Sequence, residues 1–93
     1  MMMEFEWDEE KAEANLSKHG VSFDEARTVF DDPLYLDFYD PDHSEAEDRF
    51  IIVGQSQQRR LLIVSYTERR DKIRVISARE ATRIEKDAYE EGS

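Results

Sequence analysis

Leu61–Arg79 reads LLIVSYTERRDKIRVISAR, and this stretch decides the fold. Leu61–Tyr66 is a continuous run rich in aliphatic, β-branched and aromatic side chains, the composition of a central strand covered on both faces. Glu68–Asp71 is a charged turn. Lys72–Ser77 then alternates polar and apolar side chains as a last strand. Strands joined this tightly pair antiparallel, because parallel neighbours need a crossover of a dozen residues or more.

The same stretch gathers Arg69, Arg70, Lys72, Arg74 and Arg79 on one strand and its two ends, within a chain of net charge −10. Clustered like charges repel and raise the cost of folding unless an anion or an acidic partner neutralises them. Strand alternation sends Lys72, Arg74 and Ile76 to one side and Ile73, Val75, Ser77 and Arg79 to the other. Each side holds an apolar residue, so alternation alone leaves open which side covers the core. Two readings compete for the strip. Arg binds phosphate through paired hydrogen bonds, which suits an RNA-backbone cradle. The alternative is ion pairing with the acidic N-terminal half, or with nearby Glu68 and Asp71.

Upstream, Arg49–Gln55 is a strand centred on Phe50–Val53, with Gln57 and Gln58 in the turn that follows. Asp40–Asp48 (DPDHSEAED) is a polar loop. Leu34–Tyr39 alternates Leu34, Leu36 and Phe38 against Tyr35, Asp37 and Tyr39 as another strand. Pro33 stops a helix at about Asp31 or Asp32. That helix opens at Ser22-Phe-Asp-Glu25, a capping box with Val21 and Ala26 at the staple positions, and buries Phe23, Ala26 and Phe30. A first helix runs from its Asp8 cap to about Lys18, with Ala12 and Leu16 inward and Gly20 as its stop. Glu4–Trp7 is a short strand. Downstream, Ser77-Ala-Arg-Glu80 reads as a second capping box, opening a helix to about Glu90 with Ala81, Ile84 and Ala88 as its core face. The order β-α-α-β-β-β-β-α predicts an α+β fold. Its mainly antiparallel sheet has two N-terminal helices and one C-terminal helix, packed on one side.

Ninety-three residues fit one domain, spanning 1–93. Residues 1–48 carry 16 acidic and 3 basic side chains, against 7 and 10 in residues 49–93, so the charge separates into distinct surfaces. The absence of Cys excludes disulfides and thiolate metal sites. No apolar run is long enough for a membrane span, and MMMEFEWDEE is no signal peptide, which predicts a cytoplasmic protein. Met1–Met3 and Gly92–Ser93 read as frayed ends.

Lys18-His19-Gly20 is a second candidate. At a helix C-terminus the dipole favours protonated histidine while Lys18 opposes it. Either form suits proton transfer or phosphate contact, and the competing role is a helix cap. His43, among Asp40, Asp42, Glu45 and Glu47, fits no metal-loop spacing and reads as part of a solvated loop. Ser65 and Ser77 lack a plausible base, so a hydrolase triad is not expected. Three glycines provide no phosphate-binding loop. Trp7, Tyr66 and Tyr89 are either base-stacking or core aromatics.

These pieces together resemble the BrnT family of bacterial toxins from type II toxin–antitoxin pairs. The likeness runs through Phe5-Glu6-Trp7-Asp8, Lys11, Asn15, Lys18-His19-Gly20-Val21, Phe23, Ala26 and Val29-Phe30-Asp31-Asp32. It continues in Asp48-Arg49, Gly54, Thr67-Glu68-Arg69 and Arg74-Val75-Ile76-Ser77-Ala78-Arg79, and closes with Ala81, Glu85 and Tyr89. The resemblance implies a RelE-like ribonuclease fold and RNA cleavage that inhibits translation, without a metal or other cofactor. It implies a BrnA-like ribbon–helix–helix antitoxin, with operator DNA touched only through that partner, and no membrane. The 2′-hydroxyl of RNA would attack the adjacent phosphate. Arg49, Arg69, Arg74 and Arg79 would be the phosphate-stabilising cations. His19 or Glu68 would serve as base or acid, and Tyr89 as an alternative acid or a stacking group. Lys18, Arg70 and Lys72 would bind RNA. Two features depart from the family pattern: the net acidity, and Phe50 where relatives often carry Tyr. The competing functions are a non-cleaving module that clamps its antitoxin as a co-repressor, and a structural acidic domain.

Overall fold

The computed structural model describes residues 3–92. Its elements are β1 (Glu4–Glu6), α1 (Glu9–His19), α2 (Phe23–Thr28), β2 (Leu36–Tyr39), β3 (Arg49–Gln55), β4 (Leu61–Arg69), β5 (Lys72–Glu80) and α3 (Arg83–Gly92). Single 3-10 turns at Val29–Asp31 and Pro41–His43 sit beside α2 and β2. The five strands form one sheet in the order β1-β5-β4-β3-β2, antiparallel except for the β1–β5 pair. The fold is the expected α+β architecture. Of the expected frayed ends, Met1, Met2 and Ser93 lie outside the described residues. Met3 is exposed, and Gly92 closes α3.

The first two helices form where local chemistry puts them. Asp8 accepts hydrogen bonds from the N–H groups of Glu10 and Lys11 at 2.9 and 3.1 Å. Gly20 takes a left-handed φ of 69°, which its missing Cβ allows, and its N–H closes α1 onto the Leu16 carbonyl. Ser22 accepts from the Glu25 N–H at 3.0 Å. Both helices cover one face of the sheet. Val21, Phe23, Ala26 and Val29 pack there against Ile52, Leu62, Val64, Tyr66, Ile73, Val75 and Ala78. The buried Asn15 side chain ties α1 to β5, donating to the carbonyls of Val21 and Ala78 and accepting from the Ala78 N–H. Gly54 lets the segment after α2 approach, since a Cβ there would stand 3.0 Å from Val29 and 3.1 Å from Asp32.

Four expectations are corrected. Leu16, expected inward, is 51% exposed, and Asn15 is the buried residue of α1. Ser77 does not cap a helix: it pairs with Ser65, and β5 continues to Glu80. A strand ladder supplies partners all along the chain, whereas a cap supplies two, and the same pattern recurs at Thr82-Arg-Ile-Glu85. There the Thr82 N–H donates to the Glu85 carboxylate at 2.9 Å and the Glu85 N–H to Thr82 Oγ1 at 3.2 Å. The later start rotates the helix. Ile84 is 81% exposed and Ala88 is exposed, while Glu85 and Tyr89 turn inward. Finally, the three helices do not share one side. α3 crosses the opposite face, where Ala88 and Tyr89 enclose a cavity of about 340 Å³ with Leu36, Phe38, Ile51, Val53 and Ile63.

The ladder between β4 and β5 contains a bulge. Tyr66 pairs with Val75 and Ser65 with Ser77, leaving Ile76 without a partner. The extra residue resets the alternation downstream, so Ala78 joins Ile73 and Val75 in the core while Arg79 turns to the other face.

Candidate functional site

The face opposite α1 and α2 is read directly from strand register. One row across it is Arg49 on β3, Thr67 on β4, Arg74 on β5 and Glu6 on β1. The next is Phe38, Ile51, Ser65 and Ser77, and the third is Leu36, Val53, Ile63 and Arg79. Arg69 and Lys72 pair at the end of the hairpin, beyond the first row. The face thus grades from cations, through hydroxyl groups, to an apolar groove beneath α3.

Thr67 is buried at the centre of the cationic row, and its hydroxyl donates to the Asp48 carbonyl at 2.6 Å. That bond fixes the end of the acidic loop, and Glu47 falls on Arg69 at 3.0 Å. Arg74 meets Glu6 at 3.0 Å, and Lys72 stands 3.9 Å from Glu4. Arg79 binds Glu85 through two parallel hydrogen bonds of 2.7 and 2.8 Å. The guanidinium and the Thr82 N–H hold the Glu85 carboxyl down at about 2, and the same pairing raises Arg79 further. The ion-pairing reading of the strip therefore holds for these four cations, three of them through Glu4, Glu6 and Glu47 of the N-terminal half. Among the described residues, Arg49 and Arg70 make no ion pair.

Arg70 and Asp71 form the two-residue turn of the β4–β5 hairpin, both left-handed, at φ 49° and 69°. This is the turn that Asn-Gly normally fills, so two residues with side chains hold it under strain. The tip carries the Arg70 guanidinium beside Glu6, Arg69 and Lys72 around an open depression.

Not every candidate joins this face. Lys18 and His19 end α1 on the helix side, exposed. Glu68 pairs with Ile73 and so points to the helix side, where its charge adds to that of Asp37 in raising the Tyr66 hydroxyl, which burial already pushes up. Tyr89 does join: it lines the groove with Arg79, and its hydroxyl donates to the Leu34 carbonyl at 2.9 Å. Burial, then the neighbouring Asp32, raises that hydroxyl, so it stays protonated at neutral pH. Position 50 is no part of the face. Phe50 stacks on Tyr66 on the helix side, its centroid 5.5 Å away. His43 binds Asp40 at 2.9 Å, and no group of three or more metal-ligating side chains assembles among the described residues.

Sequence reasoning missed the carboxylates that face the arginines. It also missed a further ion pair, in which Arg60 binds the buried Glu25 carboxylate while Ser56 donates to it at 2.7 Å. Glu25 and Arg60 lie 35 positions apart, and nothing local joins them. No helix among the described residues is long and apolar enough to cross a membrane.

Residues 7–85 match the family described as the ribonuclease toxin, BrnT, of type II toxin–antitoxin systems. Among solved structures the chain is similar to the Brucella abortus ribonuclease toxin, BrnT. The TM-score is 0.65 and the identity 25%, over 88% of this chain and 100% of that one. No curated protein matches it.

Proposed function

The chain belongs to the BrnT family of ribonuclease toxins of type II toxin–antitoxin systems, and from that premise we propose that its open sheet face cuts RNA without a metal and so inhibits translation. An RNA substrate and an antitoxin come with the family. The proposed partner is a BrnA-like ribbon–helix–helix antitoxin, which silences the toxin in the cytoplasm and alone touches operator DNA. The whole chain acts as one domain.

In the proposed reaction a ribose 2′-oxygen attacks the neighbouring phosphorus. The O2′–P bond forms and the P–O5′ bond breaks. A base takes the 2′ proton, and an acid returns one to the leaving 5′-oxygen. The phosphorane in between gathers negative charge, and guanidinium groups already in place stabilise it most. The observation that carries this reading is the placement of Arg49, Arg74 and Arg79 on one face. The rows of Arg74 and Arg79 lie four β4 residues apart, ~13 Å, a distance that a short single strand of RNA spans.

Arg69, Arg70 and Lys72 extend the cationic surface at the hairpin tip. Tyr89, which lines the groove with Arg79, is the proposed acid, and its hydroxyl must leave the Leu34 carbonyl to act. His19, Lys18 and Glu68 approach RNA only from the helix side. Arg74 and Arg79 must exchange Glu6 and Glu85 for phosphate, so binding is a competition between anions. The same internal pairing favours one other function, a module that clamps its antitoxin without cutting RNA.

Induced expression of the wild type beside Arg69→Ala/Arg79→Ala, with total RNA resolved from both, tests the proposal. Growth arrest with RNA cleavage in the wild type alone supports it. Normal growth and intact RNA from soluble, folded wild-type protein overturns it in favour of the clamping module.

A further inference from the structure

Strand β2 is the sheet edge farthest from the cationic hairpin, and every residue in it is exposed. The Asp40 N–H donates to the Arg49 carbonyl at 2.8 Å, which fixes the phase of the β2–β3 ladder. Hydrogen-bonded and non-bonded pairs alternate along antiparallel strands. Phe38 and Leu36 therefore turn their backbone groups towards β3, and Asp37 and Tyr39 turn theirs outwards. Among the described residues nothing pairs with the outward backbone groups of Asp37 and Tyr39, and large apolar side chains flank them. Leu34 is 65% exposed, Phe38 48% and Tyr39 51%. Leu36 and Phe38 also form the outer wall of the groove beneath α3. An open, apolar edge of this kind is a template for strand addition.

Charge selects what is added. Residues 31–48, which contain β2 and both its flanks, carry eight carboxylates and no Lys or Arg. RNA is repelled from such an edge. A second copy would bring eight like charges against eight. A segment rich in Lys and Arg is attracted.

We propose that the antitoxin docks here, adding a strand along β2 with alternate apolar side chains over Leu36 and Phe38 and basic residues against the flanking carboxylates. This rests on the toxin–antitoxin reading above. RNA then lies on the arginine rows of the face and the antitoxin along its β2 edge, and the two meet at the groove that Leu36 and Phe38 share with Arg79 and Tyr89.

The test uses the full chain and the ribbon–helix–helix antitoxin proposed above, with affinity measured by calorimetry. Leu36→Glu/Phe38→Glu is expected to weaken binding by about 100-fold or more. Tyr39→Pro removes one outward N–H while sparing the β3 ladder, with an expected loss of about tenfold. Far-UV circular dichroism and thermal melting verify the fold of both variants, and Tyr39→Pro, whose side chain lies on the helix side with Phe50, should cut RNA like the wild type when the antitoxin is absent. In the wild-type complex the Asp37 and Tyr39 amides should gain protection from hydrogen exchange. Undiminished affinity in both variants with those amides unprotected overturns the docking site and leaves the toxin–antitoxin reading standing. Loss of a homodimer in the variants at unchanged antitoxin affinity also overturns it, assigning the edge to a second copy. Failure of the wild type itself to bind removes both.

Discussion

Arg74 and Arg79 stand five residues apart on β5, an odd interval, yet share one face of the sheet because Ile76 has no partner on β4. An unbroken strand would have sent one of them into the helix-side core. The bulge is thus what makes a multi-arginine phosphate site possible on this strand.

Arg74→Ala and Arg79→Ala should each lower single-turnover RNA cleavage by about 10²–10³-fold, the loss typical of one donor to a developing oxyanion. Both side chains are partly exposed, so thermal melting should move by only a few degrees. Arg79→Lys should recover little, because ammonium keeps the charge but not the paired geometry. Cleavage within a factor of two of wild type in both alanine variants would remove these groups from the reaction.

Glu85 links acidity to the seating of α3. Its carboxyl is held at about 2, against an ordinary value of 4.5. A depressed folded value contributes stability that is full above pH 4.5 and fades as pH falls towards 2. The pair is partly exposed, so the contribution is discounted to ~1 kcal/mol. The protection factors of the α3 amides, corrected for the intrinsic pH dependence of exchange, should fall across that window in the wild type. In Glu85→Gln they should be lower already at pH 7, by about fivefold, with no acid step.

The same Glu85→Gln change frees Arg79 from its internal anion. Its affinity for an uncleavable 2′-O-methyl RNA, read by fluorescence anisotropy at low salt, should rise several-fold. Weaker binding would show that Glu85 positions Arg79 for RNA rather than competing with it.

Arg60→Ala should destabilise the fold by ~3–5 kcal/mol in urea denaturation, since it strands the buried Glu25 carboxylate. Adding Glu25→Gln should restore much of that loss, because the uncompensated charge is then gone. Specific cleavage activity of the folded fraction should stay unchanged.

Arg70→Asn/Asp71→Gly relieves two left-handed residues at the hairpin tip. Stability should rise by ~1–2 kcal/mol, with weaker RNA binding from the lost guanidinium. A fall in stability would show that the tip is not strained.

Legibility in the sequence followed the range of the interaction concerned. The caps at Asp8 and Ser22 and the alternating strands were readable because their determinants lie within a few residues. The start of α3 was not, because Ser77-Ala-Arg-Glu80 and Thr82-Arg-Ile-Glu85 offer the same pattern and only pairing with β4 chooses between them. Strand alternation alone puts Arg79 on the face opposite Arg74, because a bulge is a property of two strands, invisible in one. The strip's cations stood out as a charge anomaly, whereas Glu6, Glu47 and Glu85 looked like ordinary surface acids until the sheet brought them to their arginines.

Three of the carboxylates that cover the strip, Glu4, Glu6 and Glu47, precede every basic residue they neutralise. A ribosome makes chains from the N-terminus, so these counter-ions leave the exit tunnel first and are waiting when Arg69, Lys72 and Arg74 emerge. Once β5 has emerged and paired with β1 and β4, each of these cations meets a carboxylate made before it.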